Sequence, residues 1–213
     1  KSKEQHIDID PVEYQITCKD GNVRTMLVSG ISTENDFLAT FFDVTERRQA
    51  EAQVRKLAQA VEQSPESIVI TNLDAEIEYV NQAFLNNTGY SRAEVIGKNP
   101  NILHSSRTPR ATYDGLWAAL GEGRPWKGEF INKRKDGSEY VEFAIITPLR
   151  QEDGRISHFV AVKEDVSEKK RLGAELDRYR LHLEDLVGLR TGELMLAKTQ
   201  AESASRAKSA FLA

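Results

Sequence analysis

The sequence has almost no cysteine and no long hydrophobic run. Cys18 is the single cysteine among 213 residues, which excludes an internal disulfide and a multi-cysteine metal site. No apolar stretch approaches the ~18 residues that a membrane span needs, and no signal peptide is visible. We therefore expect a cytoplasmic chain. Because the first residue is not Met, a membrane anchor further upstream in a longer parent chain is compatible with the sequence.

A strong charge of one sign is also absent. The sequence has 29 basic and 33 acidic residues and a net charge of −4, and this balance gives no electrostatic reason to expect a nucleic-acid partner. The 4 histidines belong to no Ser/His/Asp set and to no group of metal ligands. We therefore expect no catalytic residues and no metal site in this chain.

An internal repeat organises the chain. Lys19–Gly21 (KDG), an apolar stretch and Asp43–Glu46 (DVTE) in the first half are matched by Lys135–Gly137 (KDG), an apolar stretch and Asp165–Glu168 (DVSE) in the second. A repeat of this length indicates a duplicated domain rather than a short repeating unit. Asp-Gly pairs between apolar runs are typical of hairpin turns.

The two copies predict three equivalent strands each, and the second copy also has a front half. In that front half, Thr108 is the predicted N-cap and Pro109 the predicted first residue of a long helix. We therefore expect an α+β fold in which helices cover one face of an antiparallel sheet of about five strands. The predicted strands are Glu13–Lys19, Val23–Gly30 and Asp36–Asp43 in the first copy, and Ser67–Thr71, Glu76–Val80, Trp126–Asn132, Glu139–Leu149 and Ile156–Glu164 in the second.

Each copy is followed by a stretch with helical periodicity. In both stretches the apolar residues alternate spacings of four and three, which is typical of a coiled-coil seam. Because single helices of this kind are marginal, the apolar stripe needs a partner. We expect a parallel homodimer through these helices, the alternative being packing against the chain's own domain. The stripes are Ala50, Val54, Leu57 and Val61, and then Leu172, Leu176, Tyr179, Leu183 and Leu186.

The order of elements, the KDG turns and the closing DVTE and DVSE motifs together resemble the PAS domain family. The resemblance implies that residues 1–48 are the C-terminal half of a truncated first PAS domain and that residues 65–166 are a complete one. Residues 49–64 would be a helical linker, and residues 167–213 a coiled-coil signalling helix leading to a kinase dimerisation helix. Either residues preceding Lys1 or a partner chain would cover the truncated copy.

The final residues, Ala207–Ala213 (AKSAFLA), resemble the start of the phosphoacceptor helix of hybrid-type sensor histidine kinases. The resemblance implies a sensory input region with a kinase domain downstream in the same chain and a response regulator as a partner. The parent chain would then be a protein histidine kinase, although this fragment itself is not an enzyme. Two alternatives remain: a ligand-free PAS module for dimerisation or spacing, and the input region of a diguanylate cyclase, which the AKSAFLA ending disfavours.

The repeated Asp-Val-Thr/Ser motif stands at a predicted strand-to-helix junction. There, Asp and Thr or Ser can cap the first helical turn with their side-chain oxygens. Besides this capping, we expect the junction to relay strain from the sheet to the following helix. The predicted signal-relay residues are Asp43, Thr45, Asp165 and Ser167.

A second set of residues resembles the flavin-binding, redox-sensing PAS domains that regulate nitrogen fixation or methane oxidation. It comprises Pro109-Arg110, Leu116-Trp117, Pro125–Gly128 and Asn132–Asp136. The resemblance implies FAD or FMN, with Trp117 against the ring and Asn132 bonded to its polar edge. Trp126 would belong to the same site, and Arg110 would pair with the phosphates.

The flavin interpretation has alternatives in the same residues. Trp117 and Trp126 would also serve as core residues, Asn132 as a turn cap, and the pocket as an empty or small-ligand pocket. Pro100 follows Gly97–Asn99, where some relatives carry a redox-responsive Glu and light-oxygen-voltage photoreceptors carry a reactive Cys. We therefore expect no covalent flavin photochemistry.

Overall fold

The computed structural model describes residues 7–32 and 36–211. The chain divides into two compact units, Lys1–Pro65 and Glu66–Ala213. Each unit ends in a helix that directly follows its last strand. The first unit contains β1 (Ile7–Thr17), β2 (Val23–Ser32), β3 (Phe37–Asp43) and α1 (Thr45–Glu62).

The first unit is a three-stranded antiparallel sheet in the order β1-β2-β3. The predicted KDG turn joins β1 to β2, and Gly21 has a φ of +82°, a conformation that glycine adopts without steric cost. Among the described residues of this unit, β3 is exposed on both faces: Phe41 and Phe42 are 60% and 61% exposed, and neighbouring residues of a strand point to opposite faces. Both faces therefore carry exposed aromatic side chains.

The second unit is a five-stranded antiparallel sheet in the order β5-β4-β8-β7-β6, with four helices and a short 3₁₀ helix among the described residues. The predicted α+β class with helices on one face of the sheet is confirmed. The elements are β4 (Ser67–Thr71), β5 (Ile77–Val80), α2 (Gln82–Thr88), α3 (Arg92–Val95), the 3₁₀ helix Pro100–Leu103, α4 (Arg110–Gly121), β6 (Trp126–Lys133), β7 (Glu139–Arg150), β8 (Ile156–Asp165) and α5 (Ser167–Phe211).

Two apolar clusters join the sheet to its helices. In the first, Phe84 of α2 packs with β4, β5 and the 3₁₀ helix. In the second, Leu116 and Leu120 of α4 pack against Phe130 of β6 and Ala144 of β7. These side chains are almost completely buried, and burying each large apolar one is worth roughly 1.5–3 kcal/mol. A gap between the two clusters, along the inner face of the sheet, becomes the cavity described below.

The start of α4 differs from the prediction. The helix begins at Arg110, Pro109 has the extended backbone of an N-cap residue, and no side chain caps this end. The hydroxyl of Thr108 is instead bonded to β6: it accepts from the Ile131 N–H at 2.8 Å and donates to the Ile131 carbonyl at 3.1 Å. Thr108 therefore ties the start of α4 to β6, because its hydroxyl satisfies two strand groups there.

The last helix, α5, has 45 residues, so the predicted long C-terminal helix is present. Its apolar stripe lies in solvent: Leu176 is 70% exposed and Leu183 58% exposed. Pairing of this stripe with a second copy stays a prediction. Within the described parts of the chain, no helix combines the length and the apolar character needed to cross a membrane.

Candidate functional site

A cavity of about 360 Å³ lies in the second unit between the inner face of the sheet and α4. Its volume falls within the ~300–1,000 Å³ typical of small-molecule sites. Its walls are largely apolar, and its lining includes residues of the 3₁₀ helix and of α4. The lining includes Pro100 and His104, Trp117 and Leu120 of α4, and Phe130 and Ile146 of the sheet.

The polar end of the cavity is formed by Asn132 of β6 and Lys163 of β8. Both residues are 6% exposed, and Glu142 of β7 is 2% exposed. The Asn132 Nδ2 donates to Glu142 Oε2 at 2.9 Å, and the Lys163 ammonium donates to the same oxygen at 2.8 Å. The three strands are neighbours in the sheet, so their inward-facing side chains meet at one place.

Tyr140 completes this polar network beneath the cavity. Its hydroxyl donates to Glu142 Oε1 at 3.3 Å. Burial, together with the negative charge of Glu142, raises the pKa of the Tyr140 hydroxyl far above its ordinary value. The phenol therefore stays protonated and remains a donor. Among the described residues, every buried side-chain N or O atom has a hydrogen-bond partner.

The structure brings two of the four predicted cofactor residues to the cavity. Asn132 lies at its polar end and Trp117, which is 50% exposed, lies at its opening. Trp126 instead packs against Phe130, with ring centroids 5.0 Å apart. It lies across Gly128, where an added Cβ would approach the indole to 2.5 Å. Trp126 therefore has the packing of a core residue, which was the alternative to a role in the cofactor site.

Arg110 does not line the cavity. Its side chain is 93% exposed and its Nε lies 3.9 Å from Asp114 Oδ1, one turn along α4. Lys163 is the one Lys or Arg among the described cavity-lining residues, and it lies at the buried end. The described lining therefore offers no cation near the opening for a phosphate, and the role predicted for Arg110 stays a prediction.

Sequence reasoning missed Glu142 and Lys163. Each breaks an apolar alternation at an inward position: Glu142 lies between Tyr140 and Ala144, and Lys163 follows Ala161. A charged residue at an inward position of a strand requires a buried partner. These two interruptions of the apolar pattern were therefore the signal from which a buried charged pair could have been predicted. The pairing itself depends on which strands are neighbours, and the sequence does not state that.

The residues present fit the ring system of a flavin. An isoalloxazine ring needs an apolar slot and a few polar groups for its heteroatoms. Leu120, Phe130 and Ile146 provide apolar walls, while Asn132 and Lys163 provide polar atoms at one end. The same features suit other flat heteroaromatic ligands of similar size.

The junction between β8 and α5 is held by three hydrogen bonds, two of which tie it to β7. The Val141 N–H donates to the Ser167 hydroxyl at 2.7 Å, and the Val166 N–H donates to the Val141 carbonyl at 2.9 Å. The Ser167 N–H donates to Asp165 Oδ1 at 2.9 Å. The predicted capping therefore holds for Asp165 but is wrong for Ser167, because the Ser167 hydroxyl is already used by the neighbouring strand.

The first unit repeats this junction. The Thr25 N–H donates to the Thr45 hydroxyl at 2.8 Å, and the Thr45 N–H donates to Asp43 Oδ1 at 3.0 Å. The Val44 N–H donates to the Thr25 carbonyl at 2.9 Å. Capping by Thr45 is therefore also wrong, for the same reason. The motif encodes one strand-to-helix joint, made twice.

Arg134 connects this joint to the polar end of the cavity. Its guanidinium lies 4.4 Å from the ring centroid of Tyr140, whose hydroxyl bonds to Glu142. The same guanidinium pairs with Asp165, both side chains being about three quarters buried, and donates to the Asn87 carbonyl at 2.8 Å. Direct contacts therefore lead from the cavity to the first turn of α5.

Comparison with known proteins agrees with this geometry. The profile of the PAS domain family matches residues 65–168. Residues of this chain are 41% identical over 107 residues to a nitrogen fixation regulatory protein of Klebsiella oxytoca, covering 50% of this chain and 22% of that protein. They are 34% identical over 140 residues to a bacterioopsin transcriptional activator of Halobacterium salinarum, covering 64% and 21%. The chain therefore spans about a fifth of the length of these relatives.

A solved structure of a light-oxygen-voltage domain, studied with a flavin analogue, superposes on this chain with a TM-score of 0.51 at 26% identity. The match covers 61% of this chain and 98% of that domain. The fold predicted from the sequence is confirmed by this match.

Proposed function

Because residues 65–168 are a PAS sensory domain, we propose that this chain is the sensory input and relay region of a two-component sensor histidine kinase. The ligand or redox state of the cavity is passed through a dimeric helix to a kinase domain further along the parent chain. That parent phosphorylates its own histidine and then a response regulator. The observation that carries the proposal is the line of contacts from Glu142 through Tyr140 and Arg134 to Asp165.

The joint supports a relay role because it is hydrogen-bonded to the sheet on one side and continuous with the helix on the other. Ser167 and Val166 are both bonded to Val141, next to Glu142 in β7. A shift of β7 that follows a change in the cavity therefore moves the first turn of α5 directly.

The C-terminal residues support the proposal that the region downstream of this chain is a histidine kinase domain. The helix α5 runs from the joint to Phe211 without interruption, so residues 207–211 of the AKSAFLA stretch continue the helix that begins at Ser167. A change at the joint is therefore transmitted along one helix toward the position where a phosphoacceptor segment is expected.

A parallel homodimer is part of this proposal. Leu176, Tyr179 and Leu183 are each more than half exposed and repeat with the spacing of a coiled-coil seam. An isolated helix with such a stripe lacks stabilising contacts for its apolar face. A second copy aligned in parallel supplies an identical stripe, and it also brings the two kinase domains together.

FAD or FMN is the proposed cofactor. The flavin would supply reversible redox chemistry, while Trp117 shields the ring at the opening and Asn132 bonds its polar edge. The light-oxygen-voltage structure studied with a flavin analogue has the same fold at 26% identity, which supports a flavin-type ligand. Pro100 occupies the lining of the cavity and carries no thiol, so the proposal includes no covalent photochemistry.

The first unit is proposed to be the back half of another PAS domain. Its β1-β2-β3 sheet and the joint at Asp43 and Thr45 reproduce β6, β7, β8 and the joint of the second unit. One of its two exposed faces corresponds to the face that helices cover in the second unit.

One observation favours a different function, a ligand-free module for dimerisation or spacing. Glu142 accepts hydrogen bonds from Asn132, Tyr140 and Lys163, so the three strands are held together at the polar end without a ligand. In that case the two helices alone would carry the role of the chain.

Autophosphorylation of the parent protein separates these functions. The parent is incubated with labelled ATP, with its cofactor oxidised and then reduced, and acid-labile phosphohistidine is measured. We expect phosphohistidine to form at a rate that differs between the two states. Equal rates in both states would support the spacer, and synthesis of cyclic diguanylate without phosphohistidine would support a diguanylate cyclase.

A further inference from the structure

Lys163 presents unused hydrogen-bond donors to the cavity. Its ammonium is 2.8 Å from Glu142 Oε2, and Glu142 is its hydrogen-bond partner among the described residues. An ammonium has three N–H groups, so two of them remain for a ligand. Lys163 lines the cavity and is 6% exposed, so a ligand group that bonds to it replaces little water.

Asn132 presents the complementary group. Its Nδ2 is committed to Glu142 at 2.9 Å, while its Oδ1 accepts no hydrogen bond from the described residues. An amide oxygen is an acceptor. The polar end of the cavity therefore offers an acceptor, from Asn132, beside a cationic donor, from Lys163.

Glu142 fixes both groups without lining the cavity itself. Three donors converge on its carboxylate, from Asn132, Lys163 and Tyr140, and it is 2% exposed. The carboxylate therefore fixes the orientation of the amide and the position of the ammonium. Glu142 is accordingly a positioning residue, and Lys163 contacts the ligand.

We propose that Lys163, positioned by Glu142, gives the cavity a preference for a ligand whose polar edge pairs a hydrogen-bond donor with an acceptor and bears negative charge. This inference rests on the proposed flavin site. With a flavin bound, it means that the reduced anionic ring binds more tightly than the oxidised neutral ring. Asn132 accepts from the donor of that edge, and Lys163 donates to its acceptor.

The charge on the ring follows from the balance of the reduction. A two-electron reductant, such as dithionite or a reduced nicotinamide, delivers two electrons, and the solvent delivers one proton, which forms an N–H bond on the central ring. The product carries one negative charge, whereas the oxidised ring is neutral. A cation in a buried site attracts that charge more strongly than the same cation does in water.

The test measures the dissociation constants of oxidised riboflavin and of riboflavin reduced with dithionite, both under anaerobic conditions. Riboflavin is used because it carries no phosphate, so the ring alone reports the charge preference. Lys163→Met alone would leave the negative charge of Glu142 uncompensated, and that charge would itself repel a reduced anionic ring, so the double variant Lys163→Met/Glu142→Gln is used to remove both charges. The matched control is Lys127→Met, because Lys127 is an exposed β6 lysine outside the cavity lining.

The preference is the ratio of the dissociation constants of oxidised and reduced riboflavin, and we expect it to fall by about tenfold or more in the double variant. A tenfold change in this ratio is only a small part of the interaction energy between two buried charges. Glu142→Gln, which keeps the cation and removes the carboxylate charge, is expected to increase the preference. Lys127→Met is expected to leave it unchanged. A purely structural role for the pair does not produce opposite effects in Glu142→Gln and the double variant.

Two results overturn the inference, and they are distinguishable. If riboflavin binds to the wild-type chain but the preference is the same in every variant, the inference is wrong and the flavin site stands. If neither oxidised nor reduced riboflavin binds to the wild-type chain, and FMN and FAD also fail to bind, the proposed flavin site is wrong and the inference fails with it.

Discussion

The hydroxyl of Ser167 accepts a hydrogen bond from the backbone N–H of Val141 at 2.7 Å. This bond joins the first residue of α5 to a strand that also carries the buried Glu142. The first unit has the same bond between Thr45 and Thr25, at 2.8 Å. A hydroxyl at this position therefore couples the helix to the sheet rather than capping the helix.

Replacing Ser167 by Ala tests this coupling. The Val141 N–H would lose its acceptor, and we expect the free energy of unfolding of the second unit to fall by about 1 kcal/mol. Urea unfolding monitored by tryptophan fluorescence measures the change. Ser167→Thr is the matched control, because Thr45 makes the equivalent bond, and it should remain close to wild type. Equal losses in both variants would contradict the proposed role of the hydroxyl.

The buried ion pair between Glu142 and Lys163 leads us to predict how variants of these two residues change the free energy of unfolding. Removing one partner leaves a buried charge, so Lys163→Met should destabilise the second unit by about 3–5 kcal/mol. The double variant Lys163→Met/Glu142→Gln removes both charges and should recover much of that loss. Urea unfolding of the two single variants and the double variant provides the comparison. Additive losses would show that the two side chains do not stabilise each other.

Glu94 predicts a dependence of stability on acid pH. Hydrogen bonds from Lys135 and from Ser91 lower the pKa of Glu94 from 4.5 to about 2. Because the pKa is depressed in the folded state, the stabilisation is fully present above the unfolded value of 4.5 and is lost as the pH falls toward about 2.

Glu94→Gln should therefore flatten the decline in melting temperature between pH 5 and pH 2, values that bracket this pKa range of 4.5 to about 2. Thermal unfolding followed by circular dichroism across this range measures the effect. Asp74→Asn is a suitable control, since the Asp74 backbone N–H bonds to Asn72 and no ion pair involves Asp74 in the described structure. An unchanged slope in Glu94→Gln would contradict the assignment.

The apolar stripe of α5 predicts dimerisation. Leu183 lies on the four-three stripe and Leu181 lies off it, while their exposed fractions are similar, 58% and 55%. Leu183→Arg would place two charges at the seam of a parallel coiled coil. We expect it to shift sedimentation toward the monomer, whereas Leu181→Arg should leave the dimer intact. Equal sedimentation of the two variants would exclude this stripe as the interface.

Much of the fold is predictable from this sequence because its local signals agree with one another. The Asp-Gly turn at Asp136 and Gly137 and the alternating apolar strands are both local features of the sequence. The start of α4 was predicted wrongly because Thr108 bonds to β6, a strand distant in sequence. Local propensity carries no information about that bond.

The candidate site was less predictable, for the same physical reason. Asn132 and Trp117 were identifiable because they lie on patterned segments that resemble a known subgroup. Glu142 and Lys163 meet only when β7 and β8 pair, at a position fixed by the register Ala144↔Lys163. The sequence alone does not show that two opposite charges in separate strands form such a pair, because their contact depends on the pairing of the strands.

Amide hydrogen exchange in the flavin-loaded chain, oxidised and then reduced, is the most direct test of the relay from the cavity to α5. Mass spectrometry follows the peptides that contain Val141 and Ser167. We expect their exchange to change with the state of the flavin, and we expect Arg134→Gln to reduce that change, since Arg134 joins Tyr140 to Asp165. Identical exchange at this joint in both states, with the cavity saturated, would contradict the relay.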